Sequence, residues 1–140
     1  MSDSAMVKLE LLDGYRFRVG FDMEGIPDLV IDEMKPIGEG LGPNPSRLLS
    51  AAVGHCLSSS LLYCLSKAKI KVKKLSTSVK ANIERNKEGY LRITGLEVAI
   101  HLEVNEEDKL RVPRCLDIFE NYCTVTQSVR KGIDVKVAVK

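Results

Sequence analysis

Val7, Leu9 and Leu11 alternate with polar residues, Asp13-Gly14 supplies a turn, and Tyr15, Phe17, Val19 and Phe21 resume the alternation. That pattern predicts a β-hairpin. A third short strand is expected around Leu29 to Ile31, leading into MKPIGEGLGPNPS, a loop by its three prolines and three glycines. After Pro45 the period changes: Leu48, Leu49, Ala52, Val53, Cys56, Leu57, Leu61, Cys64 and Leu65 recur at helical spacing over a wide apolar face. Asn44 as N-cap and Pro45 at the first helical position give a start signal. The helix is expected to run to about Lys69 and to be buried on most of its circumference. Its small residues Ala51, Ala52, Gly54, Ser58, Ser59 and Ser60 admit close approach of another element.

Strand alternation returns with Leu75, Thr77, Val79, Ala81 and Ile83 inward, followed by a turn at Lys87-Glu88-Gly89. The return strand begins with Leu91 and Ile93 inward and continues as Leu96, Val98, Ile100, Leu102 and Val104. The phase slips by one residue at Gly95, which predicts a β-bulge there. His101 falls on the polar face of that strand. Residues 106–133 read as helical in two parts, with Pro113 near a start or kink and the second part ending at Gly132. Ile133, Val135, Val137 and Val139 then predict a last strand. The order is three strands, a long buried central helix, a strand pair, a second helical region and a C-terminal strand, an α+β layout.

Length, composition and charge narrow the function classes. A chain of 140 residues fits a single domain, 1–140, with one core. With 21 basic and 19 acidic side chains, the charge is too balanced for a nucleic-acid reader. The densest basic run, KAKIKVKK at Lys67 to Lys74, suits a solvated helix end and strand start. The N-terminus carries no long apolar stretch of the signal-peptide kind, and no run reaches the ~18 consecutive apolar residues of a membrane span. A cytoplasmic location is the expectation, with no membrane partner.

In a reducing compartment, four cysteines are buried, metal-bound or redox-active. Cys56 lies inside the long helix and Cys123 in the second helical region, where Thr124-Val125-Thr126-Gln127 reads as a helix start. A thiol at a helix N-terminus has its thiolate favoured by the local dipole. Plain packing of both thiols stands beside chemistry at this point. His55 adjoins Cys56, but helix neighbours point about 100° apart, so the two do not form a unit. Cys56 to Cys64 and Cys115 to Cys123 are each eight residues apart. If the segments run antiparallel with Cys56 facing Cys123, Cys64 falls near Cys115, which admits a second thiol pair or a four-cysteine metal site. Close ligand pairs such as C-x₂-C are missing from the sequence, so no metal is expected and Cys64 and Cys115 read as packing.

The stretch from Gly40 to Cys56, with Gly42-Pro43-Asn44-Pro45 at its centre, resembles the Gly-x-Asn-Pro loop and cysteine helix of the OsmC/Ohr family, the osmotically inducible protein C and organic hydroperoxide resistance proteins. Glu120 to Val135 resembles the family's second cysteine motif, in which a cysteine opens a helix leading to the last strand. With the matching element order, the resemblance spans essentially the whole chain. It implies an OsmC-like fold, an intertwined homodimer with sites at the subunit interface, and thiol peroxidase chemistry without a cofactor. Cys56 is then the peroxidatic cysteine and Cys123 the resolving one. The substrate is an organic hydroperoxide, and an external dithiol, in some relatives a lipoylated protein, resets the site.

The sequence departs from that pattern at the groups that activate the thiolate. Ser46 stands where the family has a glutamate, and Leu12 near its arginine. Arg16, Arg18 and Arg47 are the nearest substitute cations. Arg16 and Arg18 fall on the solvent side of the strand alternation, and Arg47 lies roughly 13 Å before Cys56 along an ideal helix. Two alternatives therefore accompany the peroxidase reading: a thiol-disulfide relay or sensor with little peroxide turnover, and a non-enzymatic binder of small apolar ligands.

Overall fold

A computed structural model describes residues 3–140, which divide into two compact units, the first ending at residue 49 and the second covering residues 50–140. The first unit carries an antiparallel sheet of β1 (Lys8–Asp13), β2 (Arg16–Gly20) and β3 (Leu29–Ile31), with β2 central. Leu9 faces Val19 and Leu11 faces Phe17 across the hairpin, as the alternation predicts.

The loop after β3 is built around one carboxylate. Asp32 is buried, and its oxygens accept hydrogen bonds from the backbone N–H groups of Glu33 (2.8 Å), Glu39 (3.2 Å) and Leu41 (3.1 Å). These bonds hold its pKa below the usual carboxylate range, the Leu41 N–H contributing most, and burial opposes them. Gly42 passes so close to the Val30 carbonyl that a Cβ there would collide with backbone. The loop therefore needs glycine at that position.

α1 (Pro45–Lys67) starts where Asn44 and Pro45 predict. The Asn44 side-chain oxygen accepts the Arg47 N–H at 3.2 Å, satisfying one of the orphan donors of the first turn. The helix ends two residues short of the expected Lys69, because Lys69 takes a left-handed conformation (φ 58°) and the Ile70 N–H returns to the Leu65 carbonyl at 2.9 Å. Arg111 adds a hydrogen bond to the Ala68 carbonyl at 2.8 Å, beyond the helix end.

In the second unit α1 packs against the hairpin of β4 (Val72–Arg85) and β5 (Leu91–Val104). Val53, Gly54, Leu57, Ser60, Leu61, Cys64 and Leu65 are buried. Leu61, Cys64, Leu65, Ile70, Val104 and Cys115 form the core cluster, flanked by Leu75, Ile100, Leu102 and Phe119. Ser58 and Thr77 share a hydrogen bond at 2.6 Å between helix and sheet. By length and composition α1 would suffice to cross a membrane, and in this unit its apolar residues build the core.

Burial on most of the α1 circumference is corrected. Ala51, Ala52, His55, Ser59, Leu62, Tyr63 and Ser66 are exposed along one side of the helix. The predicted bulge is present: Asn82 faces Gly95 but Ile83 faces Ile93, so Thr94 is the extra residue. Beyond it, Ile83, Leu91 and Ile93 are exposed, contrary to the inward reading. His101 is exposed, as expected.

The second helical region consists of a 3₁₀ segment (Glu106–Arg111), α2 (Val112–Ile118), a 3₁₀ turn (Phe119–Tyr122) and α3 (Thr124–Lys131). Pro113 lies in the first turn of α2, where its missing N–H costs nothing. Residues 132–140 form no strand within the chain, so the predicted last strand is corrected too. Ile133, Val135, Val137 and Val139 keep the alternating pattern but lie exposed, because among the described residues no strand edge pairs with them.

Candidate functional site

Cys123 sits at the joint between the 3₁₀ turn and α3. Its φ of −85° and ψ of 94° are extended, which makes it the N-cap of α3. Its N–H returns to the Glu120 carbonyl at 3.2 Å, and its carbonyl accepts the Gln127 N–H at 3.0 Å, the first bond of the helix. The Gln127 side chain donates to the Glu120 carbonyl at 3.1 Å and ties the helix to the preceding turn. Tyr122 meets Tyr63 of α1 edge to face, ring centroids 5.9 Å apart, so the approach to Cys123 is docked on the helix that carries Cys56.

That docking brings the two sulfurs together. The Cys56 and Cys123 thiols are within hydrogen-bond reach of each other, and the backbone N–H groups of Val125 and Thr126 point at Cys56. Cys123 is fully buried and Cys56 is half-buried. Cys123 Sγ lies 2.9 Å from Thr126 Oγ1, and Ser60, one turn beyond Cys56 on α1, also reaches it. Thr126 and Ser60 are themselves buried. In the neutral state the thiol donates to Thr126; when the sulfur ionises, the hydroxyl rotor turns and donates back.

The pair is electrostatically asymmetric. Burial pushes the Cys56 thiol up, and the hydrogen bond to Cys123 and that sulfur's charge push it further, against the lowering by the Val125 and Thr126 N–H groups. Burial also acts to raise Cys123, but hydrogen bonds from Cys56, Thr126 and Ser60 outweigh it and leave Cys123 below the ordinary thiol range. The surroundings thus favour the thiolate of the buried sulfur over that of Cys56.

The other two cysteines form a second pair in the core. Cys64 and Cys115 are buried within hydrogen-bond reach of each other, and burial followed by the Cys64 contact pushes Cys115 up to about 11. Cys64 stands eight residues after Cys56 on α1, about 12 Å along the axis, so the four thiols make two pairs rather than one site. Among the described residues, no group of three or more His, Cys, Asp or Glu gathers as a metal site would require.

The three candidate cations have partners in the first unit. Arg16 pairs with Asp13 at 2.7 Å, Arg18 reaches Asp28 at 3.9 Å, and Arg47 donates to the Asn44 side-chain oxygen at 3.2 Å. Ser46 hydrogen-bonds the same Asn44 oxygen at 3.3 Å. Leu12 lies in β1 at the position where the hairpin register shifts. Ser60 and Thr126 are the residues that sequence reasoning missed. The signal was present: Ser60 follows Cys56 by one helical turn, and Thr126 holds the third position after an N-cap, the place that faces back toward the cap.

Comparison with known proteins adds the family. No curated protein matches the sequence. Among solved structures, an OsmC-like protein of unknown function from Vibrio cholerae superposes with a TM-score of 0.74 at 15% identity, covering 91% of this chain and 94% of that one. An organic hydroperoxide resistance protein OsmC from Legionella pneumophila gives 0.68 at 20% identity, with 96% and 94% covered. An organic hydroperoxide resistance protein from Elizabethkingia anophelis, bound to thiocyanate, gives 0.68 at 22%, with 97% and 94% covered. The α+β arrangement is therefore the OsmC fold. The sequence description of the OsmC-like protein family matches residues 38–138, from the loop before α1 to the C-terminal segment, and the chain belongs to that family.

Proposed function

We propose that this protein is a thiol-dependent peroxidase that reduces organic hydroperoxides through Cys56 and Cys123. The observation that carries the reading is that the two thiols lie within hydrogen-bond reach of each other at the N-terminus of α3, Cys56 half-buried and Cys123 fully buried. The Cys56 proton passes to the Cys123 thiolate, and Cys56 Sγ attacks the terminal peroxide oxygen. The O–O bond breaks, the alkoxide takes the proton from Cys123 to leave as an alcohol, and Cys56 becomes a sulfenic acid. The Cys123 thiolate then attacks the sulfenic sulfur, expelling hydroxide and closing the disulfide. An external dithiol, such as a lipoylated protein, restores both thiols. No cofactor enters these steps.

The working form is a cytoplasmic homodimer with one such domain per chain. The exposed α1 stripe and the unpaired alternation at Ile133, Val135, Val137 and Val139 support it, since both are surfaces that a second copy would cover. Deleting residues 132–140 should shift the protein toward monomer in sedimentation. An unchanged sedimentation coefficient per chain would remove that segment from the interface.

The chemical test is dithiol-dependent consumption of cumene hydroperoxide. Cys56→Ser should abolish it, and Cys123→Ser should stop at a sulfenic acid trapped by dimedone. If neither variant differs from wild type, the peroxidase reading fails. A relay or sensor is favoured by one observation, that Arg16, Arg18 and Arg47 are held by Asp13, Asp28 and Asn44. A relay forms the same disulfide with diamide but consumes hydroperoxide slowly.

A further inference from the structure

The resolving sulfur lies in a pocket of hydroxyl donors that a merely packed thiol does not need. Thr126 Oγ1 is 2.9 Å from Cys123 Sγ, Ser60 reaches the same atom from α1, and all three side chains are buried. Cys123 and Thr126 are the N-cap and third residue of one helix, so the spacing between them is set by the helix start. Cys56 is the less buried cysteine of the pair.

We propose that the Thr126 and Ser60 hydroxyls fix the direction in which the Cys56–Cys123 disulfide is reduced: an external dithiol attacks Cys56 Sγ, and Cys123 departs as a thiolate into hydrogen bonds from both hydroxyls. In thiol-disulfide exchange the attacked sulfur must be accessible, and the better-stabilised thiolate leaves faster. Both criteria select the same direction. A thiolate of the dithiol forms a mixed disulfide with Cys56 as the Cys56–Cys123 bond breaks with its electron pair on Cys123. The second thiol of the reductant then attacks its own bridging sulfur, becomes oxidised to a disulfide, and releases Cys56. The proton of that second thiol ends on Cys56, restoring the starting pair. The inference rests on the Cys56–Cys123 disulfide of the proposed function, but not on a hydroperoxide being what forms it.

The test starts from disulfide made with diamide. Reduction by dithiothreitol in stopped flow should be about three- to tenfold slower in Thr126→Val, which keeps the shape but removes the donor, and restored in Thr126→Ser. Ser60→Ala should slow it in the same sense. The pH at which Cys123 ionises, followed by thiolate absorbance in Cys56→Ser, should rise with Thr126→Val and return with Thr126→Ser, which a packing role would not produce. Quenching a reaction with the monothiol cysteamine should leave the adduct on Cys56 by peptide mapping. Equal reduction rates in wild type, Thr126→Val and Ser60→Ala, an adduct on Cys123, or failure of diamide to form the disulfide would each overturn the proposal. Should Thr126→Val not fold, Ser60→Ala and wild-type mapping decide it. Wild type that ignores cumene hydroperoxide while its variants still slow in reduction would sink the peroxidase reading and leave this one standing.

Discussion

At Gly54 α1 lies close against the sheet, and substituting it tests the packing that sets Cys56 in place. A Cβ at Gly54 would stand 2.8 Å from Val79 Cγ2 and 3.6 Å from Thr77 Cγ2. The second distance is ordinary contact, and the first requires the Val79 side chain, the helix or the strand to shift. Alanine in a helix interior is favoured over glycine by about 1 kcal/mol, whereas overpacking a tight contact costs about 1–3 kcal/mol. The clash wins by a net of about 1 kcal/mol. At fixed protein concentration, Gly54→Ala should therefore lower the Tm by about 2–8 °C. Val79→Ala removes the offending methyl, so in a double-mutant cycle the pair should couple favourably by about 1 kcal/mol. Urea unfolding of the four proteins supplies the cycle. If Gly54→Ala raises stability, the helix does not approach β4 as closely as described, and an absent coupling would place the cost elsewhere.

Other expectations follow from single contacts. Leu65 is fully buried in the core cluster, so Leu65→Ala should cost about 2–5 kcal/mol in urea unfolding. Asp32 has a depressed pKa in the folded state, so its contribution to stability is present above the unfolded carboxylate value, about 3.9, and is lost as pH falls through the lower folded value. Asp32→Asn should flatten that acid limb of a Tm-versus-pH curve, because an amide offers N–H groups toward backbone donors. Burial is the largest cause that raises Cys56; Cys123→Ser leaves it in place but removes the sulfur's hydrogen bond and charge, so the Val125 and Thr126 N–H groups oppose burial alone. The pH of half-maximal alkylation of Cys56 should fall in that variant, and a rise would refute the assignment of those groups.

Local signals carried most of the fold. Asn44-Pro45 marked the helix start, because a cap and a proline act within one turn, and the phase slip at Gly95 marked the bulge, because strand period is strict. The failures share a different cause. The alternation of Ile133 to Val139 is strand-like, yet a strand exists only where another edge accepts its hydrogen bonds, and no pattern within the segment says where that edge is. The exposed side of α1 misled for the same reason: apolar and small residues record that something covers them, not that the same chain does. In the site, the equal spacing of the cysteines fitted the two thiol pairs, whereas Ser60 and Thr126 looked like ordinary small polar residues until the docking of α3 aimed them at one sulfur.

The groups that surround the thiols also change what the departure from the family motif means. With Ser46 and Leu12 at the positions of the family's charged pair, the question was which cation makes Cys56 a thiolate. The donors around the pair answer a different need. Hydroxyls from Ser60 and Thr126 and the first N–H groups of α3 converge on the two sulfurs, and they favour one shared negative charge, held mainly on Cys123. Neutral donors of this kind avoid the desolvation that a buried arginine would suffer. The Cys56 thiol stays raised by burial, and in the proposed cycle its activation is tied to Cys123. A single pair of thiols would thus supply the base, the nucleophile and the resolving group, with the hydroxyls deciding which sulfur carries the charge.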